Sequence, residues 1–326
     1  MNSNIVTLRA IAILIVVLGH SIILYDPEWR VYEPINGCSL FQELKRVINL
    51  LQMPLFFSIS GYLFYFTSAK YSLAKLVQKK IRRILIPYFF IAFLWMDPIK
   101  LLLHVPGHDN YFELVKEQIV GNMNGHLWYL YTLFALFVVF AFVRLFLVRV
   151  EKGILNRNVL NIFILLFLML CNVFSGVFGR FANVASYAIF FYVGFLMNEY
   201  SFLFVNNRKS KFLITSIIVM VIFTVLLLLG ILPYRVARCF IACAFLVVIY
   251  NIDFGVVNNI PCLKLISSSS FGIYLFHSPL IYITCTYWRD CSPLFVLFMN
   301  FFVFGVVALL VTIAVKKSPV RFIIGE

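Results

Sequence analysis

Apolar runs of about twenty residues recur along the whole chain, separated by stretches where charge and turn residues collect. The runs cover 5–25, 47–66, 84–103, 127–148, 159–178, 184–203, 211–232, 236–254, 270–289 and 295–315. Their length matches the bilayer hydrocarbon thickness in helical rise. Backbone polar groups in lipid must be satisfied within the segment, which makes each run a helix. The short alternating segments of a barrel do not occur. The pattern predicts an all-α polytopic membrane helix bundle of about ten transmembrane helices. It forms a single integral-membrane domain over 1–326, with no soluble domain. The longest loops fall at about 26–46 and 104–126. Ile5 to Tyr25 is long enough to span and lacks a small-residue cleavage site, so it reads as a retained first helix.

Composition agrees. The 326 residues are 63% hydrophobic and only 12% charged, with mean hydropathy +0.98, about half the charge of a soluble domain. The net charge of +14 would suggest nucleic acid if it lay on one polar face, but it lies in loops beside the spans. Lys70, Lys75, Lys79, Lys80, Arg82 and Arg83 share one loop without an acid. Arg149, Lys152 and Arg157 occupy the next on that side, Arg208, Lys209 and Lys211 the third, and Lys316, Lys317 and Arg321 the tail. Acids such as Asp26, Glu33, Asp109 and Glu117 collect in the opposite loops. The positive-inside rule then puts both termini in the cytoplasm, and the partner implied is membrane lipid, not nucleic acid. The seven cysteines form no C-x-x-C pair or zinc spacing and read as small apolar filler.

Polar groups inside apolar spans are costly, which makes each a candidate for function. His20 and Arg9 lie eleven residues apart on the first helix. That is three turns plus about 20°, so they share a face about 16 Å apart along the axis. The His20 imidazole can accept a proton near neutral pH; a packing histidine bonded to a carbonyl is the plainer reading. Ser60-Gly61 on the second helix suits close helix approach. The cluster Lys79-Lys80-Ile81-Arg82-Arg83 before Pro87-Tyr88 is either a topological anchor or a phosphate clamp, with Lys80 and Arg83 on one helix face. His126 opens the fourth span beside Trp128. His277 lies in the ninth, where Pro279 invites a kink. Asp97 and Lys100 are placed to pair at i, i+3. Walker, G-x-S-x-G and H-E-x-x-H motifs are absent, and no metal site is expected.

Taken in order, Arg9-Ala10-Ile11-Ala12 through Gly19-His20, Pro54 to Phe64, Lys80 to Arg83 before Pro87-Tyr88, His126 to Leu130 and Ser270 to His277 resemble the membrane-bound acyltransferase-3 family of bacterial surface-polysaccharide O-acyltransferases. The resemblance covers nearly the whole chain. The family's Arg-x10-His pattern falls on Arg9 and His20, and its Arg-x-x-Arg pattern on Lys80 and Arg83. Two departures stand out: Lys80 keeps a charge but lacks the guanidinium fork, and Ala10 replaces the usual glycine. The resemblance implies a multi-pass protein of the bacterial inner (cytoplasmic) membrane, with no permanently bound cofactor. It implies cytoplasmic acyl-CoA, usually acetyl-CoA, as donor and a hydroxyl of a lipid-linked or exported surface glycan as acceptor. His20 would be the base, with Arg9 supporting it or the donor. Lys79, Lys80, Arg82 and Arg83 would meet the CoA phosphates. His126, Ser60 and His277 would serve acceptor binding or line the cavity. A transporter or flippase for a lipid-linked sugar would explain the same helices and polar residues. Binding of acyl-CoA would separate the two, because a flippase has no use for it.

Overall fold

A computed structural model describes residues 3–121, 125–150, 156–201 and 207–326. Every regular element among them is helical. The long helices are α1 (Ser3–Ser21), α2 (Ser39–Lys70), α3 (Leu73–Leu102), α4 (Tyr111–Val120), α5 (Trp128–Val150), α6 (Arg157–Val173), α7 (Ala182–Glu199), α8 (Asn207–Leu228), α9 (Tyr234–Asn251), α10 (Pro261–Tyr287) and α11 (Pro293–Lys317). Each of the ten expected spans falls on one of these. Among the described residues, eight helical segments are long and apolar enough to cross a membrane.

The differences from the sequence reading lie at the ends. α2 begins eight residues before its apolar run, where Phe41 and the Lys45 side chain are buried and the helix extends through polar residues. The supposed loop at 104–126 contains α4, capped by the Asn110 side chain on the Phe112 amide and closed by Gly121 at φ +84°. Arg157, expected in a loop, opens α6 and pairs with Glu199 at the end of α7, Nε to Oε1, at 2.6 Å. All seven cysteines are free thiols.

The chain divides into two compact units. Met1–Gln52, Lys80–Tyr131 and Phe254–Glu326 form the first; Met53–Lys79 and Thr132–Asp253 form the second.

In the first unit α1 lies along α10. The Arg9 guanidinium donates to Ser270 Oγ at 3.1 Å, and His20 meets His277 at 2.8 Å. Early residues meet early and late meet late, so the two helices run parallel. Eleven residues of α1 then match seven of α10, a difference of about 6 Å in rise that the long Arg9 side chain covers. Polar pins hold α1 at both ends. Thr7 Oγ1 donates to Asn258 Oδ1 at 2.6 Å, and Asn300 Nδ2 donates to Ser21 O at 2.9 Å while its Oδ1 accepts from Thr284 at 2.6 Å. Along α2, Asp26 accepts from Asn49 Nδ2 at 3.1 Å and Asn49 Oδ1 accepts from Gln52 at 3.0 Å. A side chain at Gly19 would collide with Gln52.

Helix α3 carries π turns at Ile81–Leu85 and Ala92–Met96. Pro87 and Pro98 lack an N–H for the carbonyls four residues back, which loosens the ladder at these places. The Arg83 carbonyl so released faces the tail: a Cβ at Gly325 would sit 2.7 Å from it, and Gly325 has φ +75°. Both facts require glycine. Lys316 Nζ reaches Glu326 Oε1 at 2.8 Å and donates to Ser268 O at 2.7 Å, holding that tail in place.

In the second unit α2 and α7 cross backbone to backbone. A Cβ at Gly61 would overlap the Phe191 carbonyl, and one at Gly194 would overlap the Ser58 carbonyl. The two glycines thus serve one crossing reciprocally, as small residues do between membrane helices. Phe64, Phe137, Phe140, Phe191 and Tyr192 fill the space around it with stacked and edge-on rings.

Candidate active site

The first unit holds a cavity of about 280 Å³ lined by His20, Ile23, Trp29, Gly125, His126, Trp128, Ser278, Ile281 and Tyr282. It collects residues from the end of α1, the turn before α5 and the second half of α10. Ser278, Ile281 and Tyr282 sit at i, i+3 and i+4, so a single helix face supplies that wall.

The turn of α10 that ends at Pro279 organises the site. Pro279 has no N–H to give to the Leu275 carbonyl one turn back. His126 Nε2 stands 3.4 Å from that carbonyl oxygen. The Tyr274 hydroxyl donates to the His126 carbonyl, and Trp95 Nε1 donates to Phe276 O at 3.2 Å. The loosened turn therefore receives side chains from two other parts of the unit.

The same turn fixes a tautomer. His277 is fully buried. Its Nδ1 lies 2.8 Å from Ile273 O and 3.0 Å from Tyr274 O. Carbonyls only accept, so Nδ1 carries the proton and Nε2 of the neutral ring is left as an acceptor. Nε2 lies 2.8 Å from His20 Nδ1, which makes His20 Nδ1 the donor. His20 Nε2 then keeps its lone pair. The ring at the cavity wall is thus a base with its proton-accepting nitrogen selected, and the ring behind it holds it in that state. The His126 ring centroid is 6.4 Å from that of His20 and 6.0 Å from that of His277.

A second polar group backs the cavity. The Lys100 ammonium is buried, 3.1 Å from His108 Nε2 and 5.7 Å from the centroid of the Tyr282 ring. His108 Nδ1 meets Pro106 O at 2.8 Å, so the imidazole accepts from lysine while donating to the carbonyl. Asp97, which the i, i+3 spacing offered to Lys100 as a pair, accepts from Gln118 Nε2 at 3.0 Å. The Tyr88 hydroxyl donates to Gln118 O at 2.7 Å.

The other candidates lie elsewhere. Arg9 is bonded to Ser270, on the His20 face of α1. Arg82 and Arg83 are exposed at the first π turn of α3 and Lys80 is half-buried. Lys79 belongs to the second unit, with its ammonium 3.6 Å from the centroid of the Tyr71 ring, a cation–π contact. Ser60 also belongs to the second unit, where its hydroxyl donates to Phe56 O at 3.1 Å beside the Gly61 crossing. His277 stands behind His20 and is not among the residues lining the cavity. The residues that sequence reasoning missed are Trp29, Ser278, Tyr282 and His108; Lys100 it named, but without a place at this site. The α10 stripe was open to periodicity; Trp29 and His108 sit in irregular turns, where no period applies.

A family model described as an acyltransferase domain matches residues 2–317. No curated protein and no solved structure matches the chain.

Proposed function

From the chain's membership of the acyltransferase-3 family, as a multi-pass membrane acyltransferase, we propose that it moves an acetyl group from cytoplasmic acetyl-CoA to a hydroxyl of a lipid-linked or exported surface glycan. The observation that carries this reading is His20 at the wall of a cavity with aromatic sides, hydrogen-bonded to His277 behind it.

The steps follow from the tautomers. The acceptor hydroxyl enters the cavity, whose Trp29, Trp128 and Tyr282 side chains offer apolar faces to a sugar ring. His20 Nε2 takes the hydroxyl proton as the oxygen attacks the thioester carbonyl carbon. A carbon–oxygen bond forms, the carbon–sulfur bond breaks, and the proton passes from His20 to the departing thiolate. His277 Nε2, accepting from His20 Nδ1–H, stabilises the imidazolium between those events. Arg9 sits three turns nearer the donor side, while Lys79, Lys80, Arg82 and Arg83 supply positive charge for the CoA phosphates. On this reading the bundle crosses a bacterial inner membrane about ten times, with both termini in the cytoplasm, as the loop charges require.

The test is transfer of labelled acetyl from acetyl-CoA to membrane glycolipid, comparing wild type with His20→Ala at matched membrane levels. The expected outcome is transfer by the wild type that the variant loses. Transfer that survives the substitution removes His20 from the mechanism. A wild type inactive with native glycolipids and several acyl-CoA donors removes the proposed reaction.

A further inference from the structure

The second unit holds a guanidinium, that of Arg238, which meets Tyr187 but no carboxylate among the described residues of its own unit. Between Met53 and Lys79 and between Thr132 and Asp253 the sequence holds three acids: Glu151, Glu199 and Asp253. Glu151 lies outside the described residues. Glu199 ends α7 and Asp253 follows α9. Arg235 and Arg238 sit in the first turns of α9, and Arg238 packs on Tyr187 near the start of α7. Glu199 is twelve residues beyond Tyr187, about 18 Å of helical rise, and Asp253 lies past the end of α9, whose thirteen residues from Arg238 to Asn251 rise about 20 Å. Neither described carboxylate reaches the arginines.

The Arg238 guanidinium lies over the Tyr187 ring, 4.8 Å from its centroid, with Phe190 at 6.0 Å. Its Nε and Nη2 are buried and have no hydrogen-bond partner among the described residues. An arginine that merely anchors the end of a span extends its head into water. Two buried, unanswered donors on a cation are costly and call for an anion. Arg235, at i−3 on the same face, places its guanidinium against Gly176, where a Cβ would stand 3.1 Å from Nη1. The flanking sequence is apolar and exposed: Val177 and Phe181 follow Gly176, and Ile231 and Tyr234 precede Arg235. A charged head between cations and chains along apolar flanks describe an amphiphile.

We propose that Arg238 and Arg235 form a binding site for the phosphate group of a membrane amphiphile. Phosphate presents several oxygens to two guanidinium forks, and the apolar flanks take the hydrocarbon chains. On the orientation proposed above, the start of α9 lies at the outer face, where both a phospholipid headgroup and the phosphate of a lipid-linked glycan are found. The site stands apart from the acyl-transfer reading and does not depend on it.

The experiment is equilibrium binding to the full-length chain in detergent micelles, with labelled dioctanoyl phosphatidate, dioctanoylglycerol and a polyprenyl phosphate as probes. Phosphatidate should bind the wild type about tenfold or more tighter than the diacylglycerol, the size of one charge-assisted hydrogen bond. Arg238→Gln should erase that difference, and Arg238→Lys should restore only part of it, since an ammonium lacks the fork. Equal binding of phosphatidate and diacylglycerol by the wild type overturns the proposal, and this comparison stands even where a variant fails to fold. Undiminished phosphatidate binding by a folded Arg238→Gln also overturns it. Stronger competition by polyprenyl phosphate supports the site as one for a lipid carrier. Equal or weaker competition supports it as one for a phospholipid headgroup.

Discussion

His20 Nδ1 and His277 Nε2 lie 2.8 Å apart, and His277 gives its other nitrogen to two carbonyls of its own helix. The pair thus has one consistent proton arrangement in its neutral form, with His20 Nε2 as the free base. Replacing His20 by Ala should lower acetyl transfer by about 10³-fold, within the usual range for a general base. His277→Ala should lower kcat by about 10²-fold, with KM for either substrate little changed, because it removes orientation and not binding. His277→Gln, whose carbonyl oxygen can accept from His20, should recover part of the rate. Steady-state kinetics in membranes at matched protein levels check this. Equal loss in the Ala and Gln variants would remove the positioning role.

The basic cluster makes a different prediction. Lys80→Ala and Arg83→Ala should each raise KM for acetyl-CoA by about tenfold, one charge-assisted contact each, while kcat stays near the wild-type value. Restoring the family's residue with Lys80→Arg should lower KM. Titration of initial rate against donor, at fixed acceptor, decides.

Gly61→Ala tests the crossing of α2 and α7. The added methyl group overlaps the Phe191 backbone carbonyl, which no rotamer can relieve. The cost should be about 1–3 kcal/mol of overpacking, read as a lower melting temperature in detergent. An unchanged melting temperature would mean that the two helices do not approach this closely.

His108 supplies a pH dependence outside the spans. Burial, then the neighbouring Lys100 charge, holds its imidazole below the ordinary histidine range. The unfolded chain therefore binds that proton more readily than the folded one. The stability of the neutral ring is complete above the ordinary value of about 6.5 and is lost as pH falls below it toward the depressed folded value. The melting temperature should drop over that acid window, and His108→Gln should flatten the drop. An equally steep drop in the variant would place the dependence on another group.

The helices were legible because lipid imposes one rule on every span: an apolar stretch of fixed length. Each of the ten runs accordingly falls on a helix. The ends were less legible, since α2 extends through Glu43, Lys45 and Arg46 by burying Phe41 and Lys45, a tertiary effect that no local pattern carries. In the site, His20 and Arg9 declared themselves as polar residues on one face of an apolar helix. The partner of His20 did not. His277 lies 257 positions away, and only the parallel packing of α1 on α10 joins them. Lys100 was legible only in part for a related reason. Spacing offered Asp97 within the helix, and the fold added His108 from the turn beyond.

Pro279 gives the cavity an inverted logic. Alanine is the mildest replacement on most helices, since it removes atoms and adds none that matter. Here it would add a hydrogen. The new amide would reach back to the Leu275 carbonyl and compete with His126 for the oxygen it now faces. A scan that ranks positions by what truncation deletes would overlook this residue, whose contribution is a donor the chain does not have.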